Sequence, residues 1–421
     1  MRYLVIVFGL AACASAATTN SAAVTFHKDV LPVFQQRCQE CHRPGEAVPM
    51  ALIGYQESRP WAKAIKQAVL SKKMPPWFAD PNYGHFSNDR TLSKKEVDTI
   101  VAWVDAGAPE GDAHDAPPPR QFVEGWAMGK PDLILEMPNT YDVPSKGVID
   151  YQYVIIPSGL KEDRWVLSSE IRPGDKSVMH HVITSIREPG SGWMRDRQPG
   201  VVFLPPRGVR GKPEDRLVGG LSGYAPGMVV PPGDFPQRGT LLKAGSDIVF
   251  QLHYTPNGKA TTDRTKIGII FAKEEPKSQL KGGNSASFNF KIPPGDPAYR
   301  VEASSTMKED CSLVSMMPHA HLRGKSFEYR IVRLNGETET VLKVPNYDFN
   351  WQITYFPAKP IHLEKGSKIE VIAEFDNSAN NKFNPDPTQE VHWGEQTFEE
   401  MMMGYFSVVV DSVQSTDPVQ Q

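Results

Sequence analysis

Two groupings of side chains in this 421-residue chain could do redox chemistry. The first is Cys38-Gln39-Glu40-Cys41-His42, which has the C-x-x-C-H spacing of a covalent c-type haem attachment site. On one helical turn the two thiols reach the two vinyl positions of a porphyrin, and the adjacent His is delivered beneath the iron. A zinc site would need further Cys or His close by, and a thioredoxin-like pair would need a βαβ setting. His42 is therefore the expected proximal ligand of one covalent haem c, held by Cys38 and Cys41. Met74, in Lys73-Met74-Pro75-Pro76-Trp77, is the expected sixth ligand, with Met50 as its competitor. The ordinary fate of either Met is core packing. A His/Met axial pair raises the potential and favours electron transfer over oxygen binding.

The second grouping uses five of the eleven His: His180-His181, His253 in Gln251-Leu252-His253-Tyr254, and His319-Ala320-His321. Residues i and i+2 of a strand share a face, so His319 and His321 can chelate one ion together. Adjacent His180 and His181 point to opposite faces of a regular strand. For both to bind one ion, the strand must bulge there. A lone His such as His253 is more often a satisfied polar residue, and H-x-H alone is a weak motif. A soft ligand in Glu399-Glu400-Met401-Met402-Met403 decides the metal, because imidazole with thioether selects copper over zinc. Met402 and Met403 read as core. Two sites absorb the set: His180, His181 and His253 in one, and His319, His321 and Met401 in the other. A zinc-dependent sandwich hydrolase is a weaker reading, since no H-E-x-x-H motif is present.

The elements that must position these residues change along the chain. Residues 1–23 read as a signal peptide, with Leu10-Ala11-Ala12-Cys13 fitting a lipobox and Ala14-Ser15-Ala16 fitting a cleavage site. The mature chain is then extracytoplasmic (periplasmic), anchored to a membrane if Cys13 is lipidated. Residues 24–115 read as an all-α domain. Trp61, Ile65, Ala68 and Val69 recur at helical spacing, and Ser93-Lys94-Lys95-Glu96 is a capping box before Val97, Ile100, Val101 and Val104. Residues 116–130 form a Pro-rich, stiff linker. Residues 131–280 and 281–414 read as two antiparallel β-sandwiches, from short β-rich runs separated by Pro/Gly segments. The tail 415–421 reads as disordered. The 33 Gly and 37 Pro suit such a loop-rich β protein. A formal net charge of −3 argues against a nucleic-acid partner. Of four Cys, only Cys311 lies outside the leader and the haem motif, which excludes a disulfide framework.

In this order, the HH, HY, H-x-H and E-E-M groups resemble the copper type II ascorbate-dependent monooxygenases, the peptidylglycine α-hydroxylating and dopamine β-monooxygenase family. The resemblance covers residues 131–411. Residues 26–107 resemble a small monohaem cytochrome c domain. The copper family implies two jelly-roll-like domains, each with one copper, facing across a solvent-filled cleft. It implies that His180, His181 and His253 hold the electron-delivering copper. It further implies that His319, His321 and Met401 hold the copper that meets O2 and substrate, with Tyr405 matching a family Tyr nearby. Met317 stands where peptidylglycine-type members have a carboxylate-gripping Arg, so a C-terminal glycine peptide is not the expected substrate. Met403 stands where they have Asn. The expected activity is C–H hydroxylation of a small organic or peptide substrate with O2. Electrons would come from an extracytoplasmic donor through the haem, or from a reductant such as ascorbate. The alternative is a non-enzymatic haem and copper electron-transfer or copper-binding protein.

Overall fold

A computed structural model describes residues 23–46, 48, 50–123, 125–204, 217, 219–228 and 238–411. The expected leader with Cys13 and the tail from 415 lie outside them.

A π turn at Phe26–Val30 runs into α1 (Leu31–Arg37), and α2 (Tyr55–Ser58), α3 (Ala62–Leu70) and α4 (Lys94–Asp105) follow. Ile65 and Val69, one turn apart on α3, meet Phe26, Phe34, Ile100 and Trp103 in a small core. Trp61 does not join it. Pro60 puts Trp61 in a 3-10 turn before α3, so Trp61 is exposed and Ala62 turns inward instead. The capping box forms as expected: Ser93 Oγ accepts the Glu96 N–H, and the Glu96 carboxylate accepts the Ser93 N–H at 2.6 Å.

The Pro-rich stretch is not a free spacer. Gln35 donates to the Pro118 carbonyl at 3.0 Å, and the guanidinium groups of Arg43 and Arg120 lie over the Phe122 ring. Arg172 covers Trp126 in the same way at the far end. Both ends of the linker are thus stuck to what they connect.

The rest is β structure. Its first half holds β1 (Leu133–Glu136), β2 (Tyr141–Val143), β3 (Gln152–Pro157), β4 (Arg164–Arg172), β5 (Met179–Arg187), β6 (Gly223–Tyr224), β7 (Arg238–Leu242), β8 (Asp247–Tyr254), β9 (Thr261–Asp263) and β10 (Lys266–Phe271). The second half begins with β11 (Ser278–Ser287) and holds β12 (Lys291–Ile292), β13 (Tyr299–Thr306), β14 (Cys311–His319), β15 (Gly324–Val332), β16 (Thr338–Val344), β17 (Ile361–Leu363), β18 (Lys368–Phe375), β19 (Val391–His392) and β20 (Met402–Asp411).

An eight-stranded sheet, ordered β1-β10-β4-β7-β11-β20-β14-β17, passes through both halves. The four-stranded sheet β3-β8-β5-β6 packs on its first end, around Ile267, Ile269, Phe250 and Leu252. The sheet β13-β18-β15-β16 packs on its second end, around Leu313, Phe406, Val371 and Phe327. These are two face-to-face sheet packings, each closed over one apolar core. The boundary expected at 280/281 falls inside β11, because β11 pairs in parallel with β7 at Ser278 and Gln279 and antiparallel with β20 along its length. Cys311 is buried in the second core, as an apolar thiol would be.

Candidate metal centre

The backbone irregularity required of the His-His pair is present. β5 pairs with β8 in a register that shifts between Met179 and His181, with His181 directly opposite His253. The bulge at His180 lets both neighbours turn the same way. The His180, His181 and His253 rings stand 4.6–5.3 Å apart between centroids, and their candidate ligand atoms lie within 4.8 Å of one another. His180 Nδ1 and His181 Nδ1 are 3.1 Å apart. His253 turns Nε2 toward Thr397 Oγ1 at 3.5 Å and leaves Nδ1 without a partner.

The H-x-H pair sits differently from a regular strand. His319 is the last residue of β14, while His321 lies in the following turn, with their rings 5.4 Å apart and nearly perpendicular. His319 Nδ1 meets Gln352 Oε1 at 2.8 Å, and His321 Nδ1 meets the Glu399 carbonyl at 3.1 Å. Each contact fixes a tautomer that frees Nε2. His321 Nε2 is buried with no partner.

Glu400 organises this turn. Its fully buried carboxylate accepts the N–H groups of His321 at 2.8 Å, Arg323 at 2.6 Å and Met401 at 3.2 Å. Burial pushes its carboxyl up to about 7, against the pull of those N–H groups and the Arg323 guanidinium. The buried Arg323 side chain is committed to Asn377 Oδ1 and the Phe398 carbonyl. It is therefore no substitute for the missing carboxylate-gripping Arg. The Asn377 amide is held by two carbonyls, so at this residue the polar 376–386 loop serves as a hydrogen-bonded knot.

On β20, alternation separates two roles. Met402 and Phe406 enter the second core. Met403 and Tyr405 take the other face, paired across the ladder with His319 and Met317. Met403, expected in the core with Met402, is thus buried on the histidine side. Met401, the residue just before the strand, is buried. Tyr405 stands 6.1 Å from the His319 ring, and burial pushes its hydroxyl up to about 12.

Among the described residues, no open cleft separates the two groups. The His181 and His319 rings are 6.2 Å apart. Tyr151 contacts the rings of His181, His253 and His321, and Phe349 stacks on His180 at 4.6 Å while reaching His321. Those aromatic bodies fill the space where solvent was expected. Burial first, and then the neighbouring imidazoles, lower the His180 pKa to about 4 and hold His181 and His253 well below the usual value. The cluster is therefore a set of neutral lone-pair donors. The His392 ring is exposed beside Glu390, and the His392 carbonyl accepts the Glu400 N–H.

Cys38, Cys41 and His42 form a single turn continuing α1, with the His42 N–H on the Cys38 carbonyl at 2.9 Å. Both thiols are free, and burial pushes Cys38 up to about 12 and raises Cys41. His42 Nδ1 faces the Met50 carbonyl at 3.3 Å, which leaves Nε2 available. Met50 thus meets the motif through its backbone. Met74 is half-buried just past α3, its N–H on the Ala68 carbonyl.

Gln352, Phe349, Tyr151 and Thr397 carried no motif and were not legible as site residues. Glu400 stood inside a quoted motif without a role.

No curated protein matches the chain. Among solved structures, the infectious bursal disease virus Gx strain is 9% identical over 70% of this chain and 75% of that one, with a TM-score of 0.21. A BuGH86wt complex with neoagarooctaose is 8% identical over 63% and 34%, with a TM-score of 0.15. Residues 280–410 match the family model for the copper type II ascorbate-dependent monooxygenase, C-terminal domain. That span holds His319, His321, Met401 and Tyr405. The part of the chain that builds the H-x-H site is thus similar to the C-terminal domain of those copper monooxygenases.

Proposed function

We propose that this chain is an extracytoplasmic copper-dependent monooxygenase that hydroxylates a C–H bond with O2. The observation that carries the reading is the gathering of five buried imidazoles, four of them with an unpartnered ring nitrogen, inside the matched span or packed against it. His180, His181 and His253 would hold one copper. His319, His321 and Met401 would hold the other, where the thioether disfavours zinc. Bound copper would supply one-electron redox chemistry and the activation of O2. The chain's own residues do the rest. Gln352 and the Glu399 carbonyl fix the H-x-H tautomers, Glu400 sets the turn, and Tyr151 and Phe349 exclude water. Met317 and Met403 line the same face as Tyr405, which favours a substrate presenting an apolar C–H group rather than a carboxylate.

The Cys38–His42 turn fits one covalent haem c, since both thiols are unpaired and His42 keeps Nε2 free. Cys38, Cys41 and His42 would hold the haem, with Met74 as a further ligand, and the group would supply electron transfer from an extracytoplasmic donor. Export and lipidation at Cys13 complete the proposal.

The test is metal and haem content of full-length protein from a host that matures c-type cytochromes. Two coppers and one haem iron per chain are expected. Met401→Ala should lose or weaken one copper and keep the other. Zinc in place of copper, or iron alone, would overturn the monooxygenase reading. Copper without substrate-coupled O2 uptake would leave an electron carrier.

A further inference from the structure

One segment of the helical part does not serve the helical core. Residues 77–90, between α3 and α4, lie on the β structure. Trp77 and Phe86 pack against Tyr355, with ring centroids 4.9 and 5.4 Å away. Asn88 donates to the Thr354 carbonyl at 2.8 Å and accepts the Phe356 N–H at 3.1 Å. The Ser87 N–H meets the Phe356 carbonyl at 2.9 Å, and the His85 carbonyl takes the Ala358 N–H at 2.8 Å. This is main-chain annealing along a strap, residues 347–358, of the second sandwich.

The same strap reaches the histidines. Phe349 stacks on His180, Gln352 holds His319 Nδ1, and Tyr347 donates its hydroxyl to the Ala320 carbonyl at 2.8 Å. Tyr355 also exchanges both main-chain hydrogen bonds with Met316, three residues before His319.

Two residues after Asn88, Arg90 crosses to the first sandwich. Its guanidinium donates to the Gly227 carbonyl. Gly227 follows β6, the strand that pairs with β5 at Val182, next to His181. Gly227 has φ +76, and a Cβ there would lie 3.3 Å from both Arg90 Nη1 and Trp351 Cζ3. Glycine suits this left-handed position, where an added Cβ would crowd the arginine and the strap. Asn88, Arg90, Gly227, Gln352 and Thr354 line one small pocket where the three parts of the chain meet.

We propose that Asn88 and Arg90 are positioning residues for the histidine cluster: the 77–90 segment clasps the strap of the second sandwich to the β6 side of the first, and so holds the two histidine groups adjacent. The helical part then acts on both metal sites without touching either. The inference rests on the copper reading for its spectroscopic half and on the fold alone for the other half.

The experiment uses the full-length chain and its Asn88→Ala/Arg90→Ala double variant. Hydrogen exchange of metal-free protein should show peptides from 347–358 exchanging about tenfold faster in the variant, with α4 and the sandwich strands unchanged. With copper added to both, electron paramagnetic resonance should show two magnetically interacting copper ions in the parent. That interaction should be reduced in the variant at unchanged copper count. Arg90→Lys keeps one donor for the Gly227 carbonyl and should restore both readouts. Unchanged exchange over 347–358 together with an unchanged spectrum overturns the clasp. Failure of the parent to bind copper removes the copper reading alone, and exchange still decides the clasp. If the double variant does not fold, Asn88→Asp carries the same comparison. It keeps the acceptor for Phe356 and loses the donor to Thr354, and a strap as protected as in the parent overturns the proposal.

Discussion

At the scale of single residues, Glu400 does more than its place in an acidic pair suggests. One carboxylate ties the turn after His319 to the residue before the Met401 thioether, because it accepts the N–H groups of both His321 and Met401. Glu400→Gln keeps the volume but turns an amide N–H₂ toward one of those donors. It also removes the charge facing buried Arg323, which costs about 3 kcal/mol on the scale of broken buried pairs. The expected result is a fall of about tenfold or more in copper affinity at the H-x-H site. The His180/His181/His253 copper is retained and serves as the internal control. Competitive copper titration of the metal-free variant measures it. Equal affinity at both sites would show that the turn holds without the carboxylate.

At the scale of elements, local rules carried far. The capping box, the C-x-x-C-H turn and the bulge at His180 were each legible, because each is decided by neighbours within a few residues. Ser93→Ala should cost α4 about 1 kcal/mol. Faster exchange of α4 amides, with the strands unmoved, is the check. An equal change throughout the chain would mean that the helical part has no local stability of its own. Trp61 was misplaced because a proline one residue earlier delays the start of the helix and shifts its phase. Met403 was misplaced because strand alternation decides its face, and alternation can be counted only once the register with His319 is known. The grip of the linker on Phe122 and Trp126 comes from Arg120 nearby and from Arg43 and Arg172 at a distance, and no local pattern encodes the distant contacts.

At the scale of the molecule, long-range pairing decided what the sequence left open. Two sandwiches were legible from strand texture. Their common sheet was not, since it depends on two parallel register pairs between β7 and β11. Nor was the closeness of the histidine groups, which comes from Tyr151, Phe349 and the strap filling the expected cleft. With one sheet through both cores, calorimetry of the metal-free chain should show residues 131–411 melting in one cooperative transition, not two. Two resolved sandwich transitions would mean that the shared sheet contributes little coupling.

That shared sheet has a consequence for how the two halves can be spaced. Strands joined by a ladder do not slide by arbitrary amounts. A slip of one residue would turn every side chain of the moving strand to the wrong face, so the smallest tolerated step is two. The spacing of the two halves along that sheet is therefore graded like a ratchet rather than a hinge, and insertions in β7 or β11 would reset it in whole notches.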